Sequence, residues 1–151
     1  MSRTQVTVYP SAAALAEGVA ELFAVRAAEA VEERGRFCVA LAGGTTPLAA
    51  YRRLASPPWA DLVPWGSVEV FFGDERSVGE CDGGRNDAAA REALLLHVPI
   101  PPENVHPVPA LAPDGARRYE ALLRERLSAP APALPALDLV LLGLGEDGHT
   151  A

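Results

Sequence analysis

Residues 137–151 read LDLVLLGLGEDGHTA, and this stretch decides the fold. Residues 137–142 form an apolar run broken only by Asp138. Such a run suits a strand buried on both faces of a parallel sheet. Gly143, Gly145 and Gly148 follow, and they let the backbone turn sharply and approach a ligand. Asp147, Gly148, His149 and Thr150 come next. Polar residues beyond the carboxyl end of a strand stand where open α/β sheets bind their ligands.

Two upstream stretches share this pattern. Residues 37–42 (FCVALA) predict a strand that runs into Gly43, Gly44, Thr45, Thr46 and Pro47. Thr46 suits the cap of a helix and Pro47 its first turn. Leu48, Tyr51 and Leu54 give that helix an apolar face. Glycines and hydroxyls between a strand end and a helix start bring free amides and the positive end of the helix dipole together. That is an anion site, with phosphate the obvious guest. No Gly-Lys-Ser/Thr follows, so the turn is not a Walker A loop. Residues 68–72 predict another apolar strand, ending in Gly73, Asp74, Glu75 and Arg76. Two carboxylates and a guanidinium clustered there must pair or meet a ligand.

The rest of the chain reads as scaffold. Residues 5–9 alternate as a strand that Pro10 ends. Ser11 caps a helix with Leu15, Val19, Leu22, Phe23, Ala27, Ala30 and Val31 on its apolar face, closed by Gly35. Residues 59–65 read as a short irregular connection. Asn86 caps a helix running from Asp87 to about His97, and His97 near its end is structural. His106 lies in a proline-dense stretch with no metal-ligand partner nearby. Residues 114–127 predict a helix with Tyr119, Leu122, Leu123 and Leu127 inward and Arg117, Arg118, Arg124 and Arg126 on a solvated face. The order of elements gives an α/β fold: an open, mostly parallel, Rossmann-like sheet with helices on both faces, in one domain over residues 1–151.

Composition narrows the partners. The 151 residues are 49% hydrophobic, which a globular core requires. A net charge of −7 argues against general nucleic-acid binding and leaves an anionic small molecule held by a local nest of donors. Cys38 and Cys81 fit neither a zinc spacing nor a disulfide framework, so a cytoplasmic location is expected. The segment MSRTQVTVYP lacks the apolar region of a signal peptide, and no apolar run approaches the ~20 residues of a membrane helix. Gly143, Gly145 and Gly148 match the spacing of a dinucleotide fingerprint. However, Glu146 and Asp147 would then sit beside a pyrophosphate, and the fingerprint strand usually opens its domain, whereas this one comes last.

Taken together, AGGTTP at residues 42–47, FFGDER at 71–76, Asn86 after the acidic loop, and LDLVLLGLGEDGHTA at 137–151 resemble the 6-phosphogluconolactonase family. They occur in that family's order and usual spacing. The fold is shared with glucosamine-6-phosphate deaminases, ribose-5-phosphate isomerase and sugar-responsive regulators. The Asp-Glu-Arg triplet and the Gly-His-Thr-Ala ending look like the lactonase; the deaminases usually carry an aromatic after Asp-Glu and end in Gly-His-Ile-Ala. Arg85 stands where the family commonly has Ser. Family members continue further, with more strands and phosphate-holding basic residues, so the chain is expected to correspond to the N-terminal part of such a protein.

The resemblance implies hydrolysis of 6-phospho-D-glucono-1,5-lactone in the oxidative pentose phosphate pathway, with no cofactor and no metal. His149 would take the water proton. Asp147 would orient the imidazole or the water. Gly43, Gly44, Thr45 and Thr46 would cradle the 6-phosphate, and Asn86 would contribute from its loop. Arg76 would pair with the phosphate or neutralise the oxyanion. Asp74 would fix loop geometry or a sugar hydroxyl, or move a proton on carbon in a deaminase-like alternative. A non-catalytic sugar-phosphate sensor is the third reading. The expected partner is a small sugar phosphate, with no nucleic acid and no membrane, on a monomer or weak homodimer.

Overall fold

Alternation along residues 37–41 sorts the core. In a computed structural model, which describes residues 4–79, 83–128 and 133–150, chain order gives α1 (Ala12–Arg34), β1 (Phe37–Leu41), α2 (Thr45–Leu54), α3 (Trp59–Leu62) and β2 (Val68–Phe72). Then come α4 (Asn86–Ala90), continued by a π-helical stretch (Arg91–Leu95), α5 (Gly115–Arg126) and β3 (Leu139–Val140). The strands are parallel in the order β2-β1-β3, with Leu41 opposite Phe72 and Ala40 opposite Val140. Successive strand residues point to opposite faces. Phe37, Val39 and Leu41, with Val68, Val70 and Phe72, pack with Phe23, Tyr51, Leu54 and Trp65. Cys38, Ala40 and Phe71 face the other way, under Tyr119, Leu122, Leu123 and Leu127. Helices therefore cover both faces, as expected.

Polar side chains fix where the strands start and stop. Asp138, the one charge in the last apolar run, accepts the Cys38 N–H at 2.7 Å and an Arg34 guanidinium N–H at 2.8 Å. Its own N–H donates to the Cys38 carbonyl at 2.9 Å, so it fastens the last strand to β1. Tyr51 is fully buried. Its hydroxyl donates to the Ala42 carbonyl at 2.7 Å and accepts the Ala42 N–H at 3.0 Å. Tyr119 treats the end of β2 similarly, accepting the Phe72 N–H at 2.8 Å. Burial pushes both phenols up, Tyr119 to about 12. Tyr51→Phe takes the partner from both polar groups of Ala42 at a buried strand end. It is expected to cost about 1–3 kcal/mol of stability, read as a lower midpoint in urea at unchanged slope.

Several local expectations are corrected. Residues 5–9 form no strand, with Val6 and Val8 82% and 89% exposed, because alternation makes a strand only where a sheet edge accepts it. Ser11 and Gly35 do cap α1. Its buried stripe, however, is Ala16, Ala20, Phe23, Ala24, Ala27 and Ala30, while Leu22 is exposed, since small side chains let the helix lie close to its neighbours. Residues 59–62 are helical rather than irregular. The final strand is two residues long instead of six and is paired on one side only, so Val140 and Leu142 are exposed. The readings of Cys81 and Ala151 fall outside the described residues.

Candidate active site

The first strand end has the free amides expected of an anion cradle. Gly44 (φ 98°) is the N-cap of α2, so the helix starts at Thr45, ahead of the expected Thr46 cap. Pro47 still lies in the first turn, where its missing N–H costs nothing. First-turn amides have no acceptor four residues back, and the helix dipole is positive there. The exposed Thr45 and Thr46 stand beside these amides.

The second strand end is braced from behind. The Gly73 N–H donates to the Leu41 carbonyl at 3.0 Å, extending the β1–β2 ladder to the edge of the site. Asp74 and Arg76 face the cleft, whereas the Glu75 side chain is 0% exposed. The Glu75 carboxylate accepts the N–H of Asn86 at 2.7 Å, of Asp87 at 2.9 Å and of Arg76 at 2.8 Å. Arg85 lies 3.5 Å from it and pairs with Asp87 at 2.7 Å. Burial works against the Asp87 carboxylate, yet the Arg85 guanidinium beside it holds its pKa below the ordinary range. The expected cap, Asn86, is instead the first residue of α4 and Arg85 its N-cap, because Glu75 already serves the first amides. Asn86 is freed to reach forward. Its side-chain N–H donates to the Asp74 carbonyl at 3.1 Å, and its Oδ1 lies 1.9 Å from where a Cβ on residue 43 would sit.

The third strand end carries the imidazole. The Gly148 N–H donates to the Gly145 carbonyl at 2.9 Å, and the Gly145 N–H to the His149 carbonyl at 2.8 Å. This closed turn folds His149 back over Gly145, where a Cβ would strike the ring. His149 Nδ1 meets the Asp147 carboxylate, which also accepts the His149 N–H at 3.3 Å. The imidazole contact, then the backbone N–H, hold the Asp147 carboxyl below its usual range. A carboxylate only accepts, so this contact takes a proton on Nδ1, the tautomer that leaves Nε2 as the acceptor of a neutral ring. Side-chain exposures of 66% for His149 and 74% for Asp147 leave this pair open to water.

The three ends meet in one cleft of about 480 Å³. Gly43, Gly44, Thr45, Thr46, Asp74, Arg76, Asn86 and His149 line it, with Asp147 behind the imidazole. Leu141, Leu142 and Leu144 form an apolar wall that the sequence reading assigned to a strand and turn. Sequence reasoning also missed the inward carboxylate of Glu75 and the hydroxyl of Tyr51. Among the described residues no helix is long and apolar enough to cross a membrane.

A parallel sheet with such a cleft at the carboxyl ends of its strands defines a Rossmann-like α/β protein, and the cleft lies where such sheets bind their ligands. More narrowly, the family model described as Glucosamine-6-phosphate isomerases/6-phosphogluconolactonase matches residues 10–151, and the chain belongs to that family. It is 40% identical over 149 residues to a 6-phosphogluconolactonase of Nostoc, covering 97% of this chain and 60% of that protein. It is 41% identical over 150 residues to one of Synechocystis, covering 97% and 61%. The solved 6-phosphogluconolactonase of Trypanosoma cruzi superposes with a TM-score of 0.87 at 30% identity, covering 99% of this chain and 61% of that one. The chain thus spans about 60% of the length of these relatives.

Proposed function

We propose that the cleft hydrolyses 6-phospho-D-glucono-1,5-lactone to 6-phospho-D-gluconate, in the cytoplasm and without a cofactor. One observation carries this reading: a turn of free amides and hydroxyls and an exposed imidazole backed by a carboxylate line the same water-open cleft. In this reading the amides and hydroxyls from Gly43 to Thr46 hold the 6-phosphate. His149 Nε2 takes a proton from water as the water oxygen bonds to the lactone carbonyl carbon. Asp147 steadies the imidazolium that forms. Arg76 supplies positive charge, to the phosphate or to the oxyanion. Collapse of the tetrahedral species breaks the bond to the ring oxygen, which receives the proton back from His149. Asn86 and Asp74 hold sugar hydroxyls or the loop that meets them. The reading includes a single α/β domain over residues 1–151, acting as a monomer or weak homodimer.

Asp74 and His149 on one cleft also suit proton transfer on carbon, so an amino-sugar phosphate is the second reading. Acid release from 6-phosphogluconolactone, measured against the spontaneous rate, separates the two. Acceleration is expected. Ammonia from glucosamine 6-phosphate without acceleration would favour the second reading, and tight 6-phosphogluconate binding with neither turnover would favour a sensor.

A further inference from the structure

We infer that Glu75 is a positioning residue, whose buried carboxylate sets Asn86 at the rim of the cleft and thereby tunes substrate affinity. The inference rests on the proposed sugar-phosphate chemistry and adds a residue to which that chemistry assigns no contact. Glu75 sits between Asp74 and Arg76, which face the cleft, yet its own side chain is fully buried. It accepts three backbone N–H groups, those of Arg76, Asn86 and Asp87. One carboxylate therefore ties the turn after β2 to the start of α4, 11 residues on.

The consequence falls on Asn86. With its backbone held by Glu75, its side chain spans from the Asp74 carbonyl to the surface of Gly43. Two of the three strand ends are thus spaced by one amide whose own placement depends on Glu75. Arg85 has a different part. It is 4% exposed and neutralises Glu75 and Asp87. A buried charge that loses its counter-charge destabilises the fold. Positioning and stability are therefore divided between two neighbouring residues.

The test compares wild-type chain with Glu75→Gln and Arg85→Ser. Gln keeps the shape but not the charge, and its carbonyl oxygen serves fewer amides. Glu75→Gln is expected to speed hydrogen exchange of the Asn86 and Asp87 amides by about tenfold or more and to disperse the Asn86 side-chain signals. It should raise KM for the lactone, and Kd for 6-phosphogluconate, about tenfold with kcat within about twofold, since an interaction made equally in ground and transition states appears in KM. Arg85→Ser should lower the melting temperature yet keep both constants within about twofold. Unchanged Asn86 and Asp87 exchange in Glu75→Gln would overturn the inference. So would a KM and melting temperature that shift alike in both variants, because that pattern is bulk destabilisation. If the wild type neither binds nor hydrolyses the sugar phosphates, the functional reading fails on its own, and the exchange arm still decides whether Glu75 places Asn86.

Discussion

His149→Ala is expected to lower kcat for the proposed lactone hydrolysis by about a thousandfold and to leave 6-phosphogluconate binding nearly unchanged, because a positioned general base contributes about 10²- to 10⁴-fold. The separation follows from geometry. The amides and hydroxyls that would hold the phosphate belong to the turn after β1, whereas the imidazole comes from the turn after β3. Removing the ring takes away the proposed proton acceptor and none of the proposed phosphate donors. Full turnover in the variant, with the fold intact, would remove His149 from the mechanism. Asp147 supports the ring with a definite pH sign. Its folded pKa is lowered, so the carboxylate–imidazole contact is in force above the free carboxylate's pKa and is lost as pH falls through the lowered value. Through the neutral range the carboxylate is ionised and the ring stays oriented.

Gly43→Ala has the second large effect. The added methyl would lie 1.9 Å from Asn86 Oδ1 and 2.4 Å from its Cγ. Asn86 cannot simply retreat, because its backbone is held by Glu75 and its side chain by the Asp74 carbonyl. The end of β1 cannot retreat either, with Ala42 held at both its N–H and its carbonyl by Tyr51. One of these contacts must break. Overpacking of this kind costs about 1–3 kcal/mol, and loss of phosphate-site geometry should raise KM by about tenfold or more. Calorimetric binding of 6-phosphogluconate beside a thermal melt measures both. The double variant Gly43→Ala with Asn86→Ala is expected to regain stability without regaining affinity. A single variant that melts and binds like wild type would refute the contact.

The pattern of the sequence made the sheet and the site legible to different depths. Residues 37–41 are uniformly apolar and residues 68–72 are apolar except for Glu69, and a buried parallel strand leaves that trace whatever surrounds it. The glycine and hydroxyl turn at residues 43–46 was readable for the same local reason. Residues 137–142 carried an equally apolar run but form only a two-residue edge strand, because burial on both faces needs neighbours that periodicity does not reveal. Asn86 showed the opposite failure. Its type announced a helix cap, but Glu75, 11 positions earlier, performs that task through space. Tyr51 read as part of an apolar face, and nothing in its spacing disclosed that its hydroxyl closes the end of β1.

The two-residue β3 gives the halves of the cleft unequal tenure. The phosphate turn grows from a five-residue, fully buried strand and a ten-residue helix, whereas the imidazole turn hangs from two ladder pairs and the Asp138 clamp. Segments with few buried contacts open in sub-global steps well below the free energy of complete unfolding. On warming, the imidazole half is expected to let go first, so the proposed hydrolysis should fade while the turn after β1 is still intact. A ligand that bridges both halves binds only the closed arrangement and delays that opening by mass action. Loss of the proposed activity and thermal unfolding of this chain are therefore expected as two events, which saturating sugar phosphate should draw together.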